Sequence, residues 1–222
     1  MQTLKDLFEE TLKDVYFAEK AIIKALPKMA KKTKSAALKR AFEEHTEQTK
    51  GQVERLDQVF KLLGKKSSGK ECPALKGLVE ETEELMSEAK DPDVLHAGLI
   101  GCAQAVEHYE IARYGTLRAW AEQLGMPEAV KLLEATLAEE KQTDEKLSKL
   151  ALGGINEEAD DAGAAKAKPK VAAAKSVKAA AVPAAVPAAS KSALAKKPAG
   201  NSVAGKSVAG KSAASKAAPG RK

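Results

Sequence analysis

Six side chains spread over four segments carry the chemistry of this chain: Glu19, His45, Gln52, Glu107, Glu110 and Glu140. Glu19 lies in "DVYFAEKAII", residues 14–23, where Leu12, Val15, Ile22 and Leu26 recur at helical spacing. The glutamate falls on that same apolar side. A carboxylate buried without a partner costs several kcal/mol, so an inward glutamate needs a cation, a proton or a hydrogen-bond donor. Carboxylates joined by an imidazole suit iron or manganese. Protonation, or pairing with His45, Gln52 and buried tyrosines such as Tyr16 or Tyr114, relieves the same strain without metal.

Displacing the chain against itself by 91 residues shows that the pattern is repeated. Leu4 meets Leu95, Val15 meets Val106, Leu26 meets Leu117, Leu56 meets Leu147, and Glu19 meets Glu110. In the two remaining long segments, stepping through His45, Thr49, Gln52 and Leu56 keeps to one helix face within about 60°. The matching steps are Thr136, Glu140, Thr143 and Leu147. Each long segment thus carries polar groups near the middle of its inward face. Glu47, Glu107, Glu139 and Asp144 are neighbouring acids whose direction the sequence leaves open.

Helices must position these groups. Apolar period predicts one helix over residues 2–31, with Pro27 kinking it, and a second from an N-cap at Ser35 to Leu63, closed by Gly64. "GKKSSGKECP" reads as a loop and residues 74–90 as a short acidic helix. Asp91 and Pro92 start a long helix to about Leu124, and "GMPEA" opens another to about Leu150. The Gly153–Gly154 pair ends it. The fold class is therefore all-α: a four-helix bundle of two antiparallel hairpins, joined by a long crossover containing a short helix. The bundle is assigned to residues 1–155, and residues 156–222 to a disordered basic tail rich in Ala, Lys and Pro.

Charge is divided unevenly. Against a chain total of +6, residues 162–222 carry +13, so residues 1–161 carry −7. The tail has no aromatic residue and few large apolar ones, too little to offset the entropy of folding. Its lysines suit phosphate neutralisation rather than base readout, which implies DNA or another polyanion as partner. No run of eighteen apolar residues occurs, so no membrane partner is expected. The charged N-terminus is unlike a signal peptide, and the two cysteines form no zinc or disulfide pattern. A reducing cytoplasm, with nucleoid association through the tail, is the expected location. His96 and His108 are expected at the surface, Cys102 as a small buried group, Cys72 in a loop where a thiol can react, and "EETEEL" (80–85) as a solvated face.

"DVYFAEKAI", "HTEQTKGQVERLDQVF", "AVEHYEIARYGTL" and "LLEATLAEEKQTDEKL" together resemble the ferritin-like superfamily, and within it the bacterial YciE/YciF stress-protein family, over roughly residues 1–155. The tail is similar in composition to linker-histone tails. The family resemblance implies a homodimer, a link to stress response and a di-iron centre; by ligand chemistry, manganese suits the same donors. Sites of this type use one Glu from each of two helices and Glu-x-x-His from the other two. Glu19 and Glu110 match the lone glutamates. Glu140 is followed by Thr143 where His would stand, and Thr49 and Gln52 stand where Glu and His would; His45, one turn away, is the substitute. The functional expectation is Fe(II) oxidation by oxygen or peroxide, a ferroxidase-type oxidoreductase tethered to DNA. The alternative is a metal-free helical dimer acting as a non-specific DNA-binding architectural protein.

Overall fold

The structure is a computed structural model that describes residues 1–167. Its helices are α1 (Leu4–Lys32), α2 (Ala36–Leu62), α3 (Pro73–Glu88), α4 (Pro92–Gln123), α5 (Pro127–Leu150) and α6 (Asn156–Ala167). Among the described residues there is no strand. The predicted helices are present within a few residues of their expected ends.

Local chemistry explains those ends. Thr3 Oγ1 accepts from the Asp6 N–H at 3.1 Å, and the Asp6 carboxylate accepts from the Thr3 N–H, closing a capping box on α1. Helix α1 runs through Pro27 to Lys32. Ser35 caps α2, and Asp91 Oδ1 accepts from the Asp93 N–H at 2.9 Å at the start of α4. Gly64 and Gly125 follow α2 and α4 with φ of 68°, the left-handed conformation that glycine enters without steric cost.

Helix α1 packs on α2, α4 on α5, α2 on α5 and α1 on α4, giving the four-helix bundle of two hairpins. The crossover helix α3 lies on α4 and α1. It is held by the ion pair of Lys28 Nζ with Glu83 Oε1 at 2.7 Å and by the seat of Leu85 on Gly98. Cys72 is buried at the start of α3, its Sγ 3.1 Å from the Tyr109 hydroxyl, so the reactive loop thiol expected from the sequence is not there. In the "EETEEL" run the four glutamates are solvated or nearly so, whereas Thr82 turns inward and Leu85 packs on α4.

The Gly153–Gly154 pair does not end the structure. The chain passes through a π-helical turn, Ala151–Ile155, in which Gly154 has φ 133°. Ile155 is buried with one apolar cluster, and α6 then packs along α4. The boundary expected at residue 155 therefore misses one helix, whose Ala-rich acidic sequence carries almost no amphipathic pattern. The rest of the expected tail lies outside the described residues.

The apolar core has two parts. One contains Phe8, Leu12, Val15, Leu56, Phe60, Leu117 and Leu133; the other contains Ile22, Leu26, Leu38, Phe42, Leu95, Leu99 and Leu147. On each long helix the two sets occupy opposite ends. The stretch between them holds Glu19 on α1, His45 to Gln52 on α2, Glu107 and Glu110 on α4, and Thr136 to Thr143 on α5. A polar layer thus crosses the middle of the bundle.

A Cβ on Gly98 would meet the Leu85 methyls at 2.8 and 2.9 Å, the far end of a flexible side chain. Gly98→Ala is expected to change stability little. Gly98→Leu should force α3 off α4 and cost about 1–3 kcal/mol, measurable by urea denaturation.

Candidate metal centre

Glu19, Glu110 and Glu140 are fully buried, Glu107 is 1% exposed and His45 3% exposed. Ordinary helix geometry places them. On α4, Glu107 and Glu110 are one turn apart and both face inward. On α2, His45 faces inward one turn before Thr49, whose Oγ1 donates back to the His45 carbonyl at 2.7 Å. On α5, Glu140 points into the layer between Thr136 and Thr143.

His45, Glu107, Glu110 and Glu140 each bring one nitrogen or oxygen atom within 4.8 Å of the others. His45 Nε2 is 3.1 Å from Glu107 Oε1 and 4.0 Å from Glu140 Oε2. The shorter contact is an ion-pair distance without the alignment of a hydrogen bond, and Nε2 is left unpartnered. The other ring nitrogen, Nδ1, lies 3.5 Å from Thr143 Oγ1. Thr143 itself donates to the Glu139 carbonyl at 3.2 Å. Threonine at this position therefore borders the imidazole contributed by α2.

Two of the six expected residues stand beside this group of four. Glu19 accepts a hydrogen bond at Oε1 from the Tyr114 hydroxyl and lies against Glu110. Gln52 donates from Nε2 to Glu139 Oε2 at 3.2 Å, at the edge of the layer. Arg55 secures that edge: its Nε donates to Thr136 Oγ1 at 2.9 Å and its Nη2 pairs with Glu139. Sequence reasoning missed Arg55, which falls at an outward-looking step of α2. It also placed His96 at the surface. His96 is buried, and its Nε2 accepts from the Lys34 N–H at 2.9 Å, closing the α1–α2 connection. His108 is exposed as expected, and Cys102 is half-buried rather than buried.

Within the layer, Glu19 Oε2, Glu107 Oε2 and both oxygens of Glu110 and of Glu140 lack a hydrogen-bond partner. Burial pushes the Glu19 carboxyl up to about 7 against the counter-effects of the Tyr114 hydroxyl and His45. Burial, then the neighbouring carboxylates, push Glu110 and Glu140 well above the usual carboxylate range. Burial opposes protonation of His45, but the Glu107 carboxylate and then Glu19 outweigh it and raise the imidazole. These are the marks of oxygen and nitrogen donors gathered where a cation would replace several protons at once. One imidazole and three carboxylates, with unpartnered atoms turned toward one another, fit a divalent ion of the iron or manganese type.

The comparisons with known proteins agree with this architecture. The family described as a domain of unknown function, DUF892, matches residues 3–160. Protein YciF of Escherichia coli strain K12 is 46% identical over 162 residues, covering 72% of this chain and 98% of that protein. The crystal structure of the E. coli stress protein YciF superposes with a TM-score of 0.68 at 47% identity, covering 70% of this chain and 99% of that one. YcfI from Rhodopseudomonas palustris gives a TM-score of 0.65 at 51% identity, covering 66% and 94%. A protein from Xanthomonas campestris, at 23% identity and a TM-score of 0.59, shares the fold. This chain, with its layer of buried carboxylates between two apolar clusters, belongs to the DUF892 family, that of the YciF-type stress proteins.

Proposed function

We propose that the polar layer is a carboxylate metal centre, with iron as the preferred ion and manganese as the alternative, and that the protein oxidises Fe(II) at the expense of oxygen or peroxide. The observation that supports this most directly is the convergence of one donor atom each from His45, Glu107, Glu110 and Glu140 within 4.8 Å, with carboxylate oxygens left unpartnered. These four would hold the first ion. Glu19, adjoining Glu110, is the candidate additional ligand for a di-iron arrangement. Bound iron would supply one-electron chemistry toward dioxygen or peroxide. The chain's part is to fix the donors: Thr143 borders His45 Nδ1, Tyr114 holds one oxygen of Glu19, and the Arg55–Glu139 pair closes the layer at its edge. The two apolar clusters exclude water above and below.

We further propose that the basic residues beyond the bundle tether this activity to DNA, and that two chains associate. The charge of residues 162–222 is the ground for the tether. No helix among the described residues is long and apolar enough to cross a membrane.

Metal binding is tested on the full chain under anaerobic conditions. Fe(II), or Co(II) as a spectroscopic substitute, should raise Tm at pH 7.5, since a ligand at a hundred times its Kd stabilises by about 2.7 kcal/mol. Glu140→Ala and His45→Ala should lose that response, whereas Glu19→Ala should retain at least one ion. No bound metal and no oxidation above the Glu110→Ala background would overturn the reading.

Without metal, protons must serve instead, and the pH dependence follows. Glu19 titrates near 4.5 in the unfolded chain and near 7 in the folded one. Between these values the folded chain keeps a proton that the unfolded chain has lost, so stability falls as pH rises. His45, raised in the folded state, acts in the same direction at somewhat higher pH. Metal-free protein should therefore lose several degrees of Tm between pH 5 and pH 7.5. Glu110→Gln should flatten that decline, and saturating metal should abolish it.

For the tether, the full chain and residues 1–167 are compared on duplex DNA at increasing salt. The full chain should bind with a log–log salt slope no steeper than about −12. Equal weak binding by both would remove DNA from the proposal, and selective binding to inorganic polyphosphate would replace it.

A further inference from the structure

A small cavity of about 20 Å³ borders the proposed centre on the side of α3. Two of its walls are site residues, His45 and Glu107, and the remainder is largely apolar, including Ile22, Leu26 and Val106. His45, which lines it, is almost fully buried, with its Nε2 3.1 Å from Glu107 Oε1. A void of this size admits about one water-sized molecule, and its apolar lining gives water few partners. Buried Thr82 and half-buried Cys102 also line it. Cys102 further lines a surface groove of about 410 Å³ between α3 and α4. Glu81, Glu84 and Glu88 line that groove.

We propose that this cavity is the antechamber through which a small uncharged oxidant, of the dioxygen or hydrogen peroxide class, reaches His45 and Glu107, and that it opens between α3 and α4 past Cys102. The inference rests on the metal-centre reading and adds its route. The chemistry of the walls selects the traveller. A bare cation would meet almost no oxygen ligand between Cys102 and Glu107, and desolvation would hold it back. An anion would first be repelled by the three glutamates at the mouth. A small neutral molecule escapes both charge penalties, and dioxygen, which makes no strong hydrogen bonds to water, crosses the apolar lining more readily than peroxide. The crossover helix thus does more than connect the hairpins: Val79 and Thr82 on α3 supply part of the chamber wall.

The cavity is tested in the metal-free full chain by xenon-dependent NMR shifts of the Ile22, Leu26 and Val106 methyls. These are expected in the wild type and absent in Ala103→Leu, which fills the chamber from α4. Ala103→Leu should bind Co(II) within twofold of wild type, yet oxidise Fe(II) at least tenfold more slowly at limiting dioxygen. Should A103L fail to fold, methylthiolation of Cys102 in the folded wild-type chain supplies a second plug, reversed by dithiothreitol, with Cys102→Ala as the unmodifiable control. Absence of xenon shifts in the wild type overturns the cavity. Unchanged oxidation in both plugged forms overturns the passage and directs attention to the opposite wall at Ala25. If the wild type takes up no Co(II), the metal reading itself falls, and xenon shifts would then mark only a packing void.

Discussion

The confinement of several carboxylates to one layer of an otherwise apolar bundle governs the rest of the structure. Two ionised groups 4.8 Å apart repel by about 3 kcal/mol even at an effective dielectric of about 20. Glu107, Glu110 and Glu140 make three such pairs. Their summed repulsion would rival the whole stability of a domain, typically about 5–15 kcal/mol. The folded chain therefore cannot hold all three charged without compensation. Protons, the His45 imidazolium and a metal ion are the available remedies. Burial, then the neighbouring carboxylates, raise Glu110 and Glu140 toward the first of these remedies.

The two hairpins are similar in sequence but contribute unequally to this layer. At the 91-residue displacement, Glu19 corresponds to Glu110, yet Tyr16 corresponds to Glu107, Thr49 to Glu140 and Thr136 to His45. The second hairpin supplies three carboxylates and the first supplies the imidazole. Glu19, the carboxylate of the first hairpin, is bound by Tyr114, a residue of the second. Each half thus completes the other. The asymmetry also accounts for a four-membered donor group beside a fourth carboxylate, rather than two equal sets. A symmetric duplication with Glu107 and Glu140 counterparts on α1 and α2 would bury still more like charge in the same volume.

Much of this is legible from residue types and period. The apolar stripes locate the four long helices because each has a broad inward face, and the breaks at Glu19, Glu110 and Glu140 stand out against those stripes. The pairing of Glu19 with Tyr114 is among the ways that residue types alone offer to relieve an inward carboxylate. Glu107 is harder to place, because residues three apart share a face too wide for sequence to decide between inward and lateral. His96 escapes sequence reading for a different reason. Its burial is set by one non-local bond to the Lys34 N–H, which no periodicity encodes. Helix α6 escapes it because Ala, Asp, Glu and Gly form no apolar stripe along it, and the preceding glycine pair reads as a stop. The turn there uses the positive φ of Gly154 to redirect the chain instead.

The placement of the layer matters as much as its composition. Carboxylates near a bundle end could turn outward and regain water, but these are enclosed by apolar clusters on both sides. Phe8, Leu12, Leu56 and Phe60 pack one end; Leu38, Phe42, Leu95 and Leu99 pack the other. The clusters supply the burial that holds the helices together, and by doing so they deny the glutamates any escape. Stability and site are thus in opposition: tighter packing raises the cost of each unneutralised charge. A layer built this way is a poor device for stability alone, since apolar residues of the same volume would do better. Its persistence across two hairpins of one chain is understandable if the energy withheld from folding is returned when a cation enters.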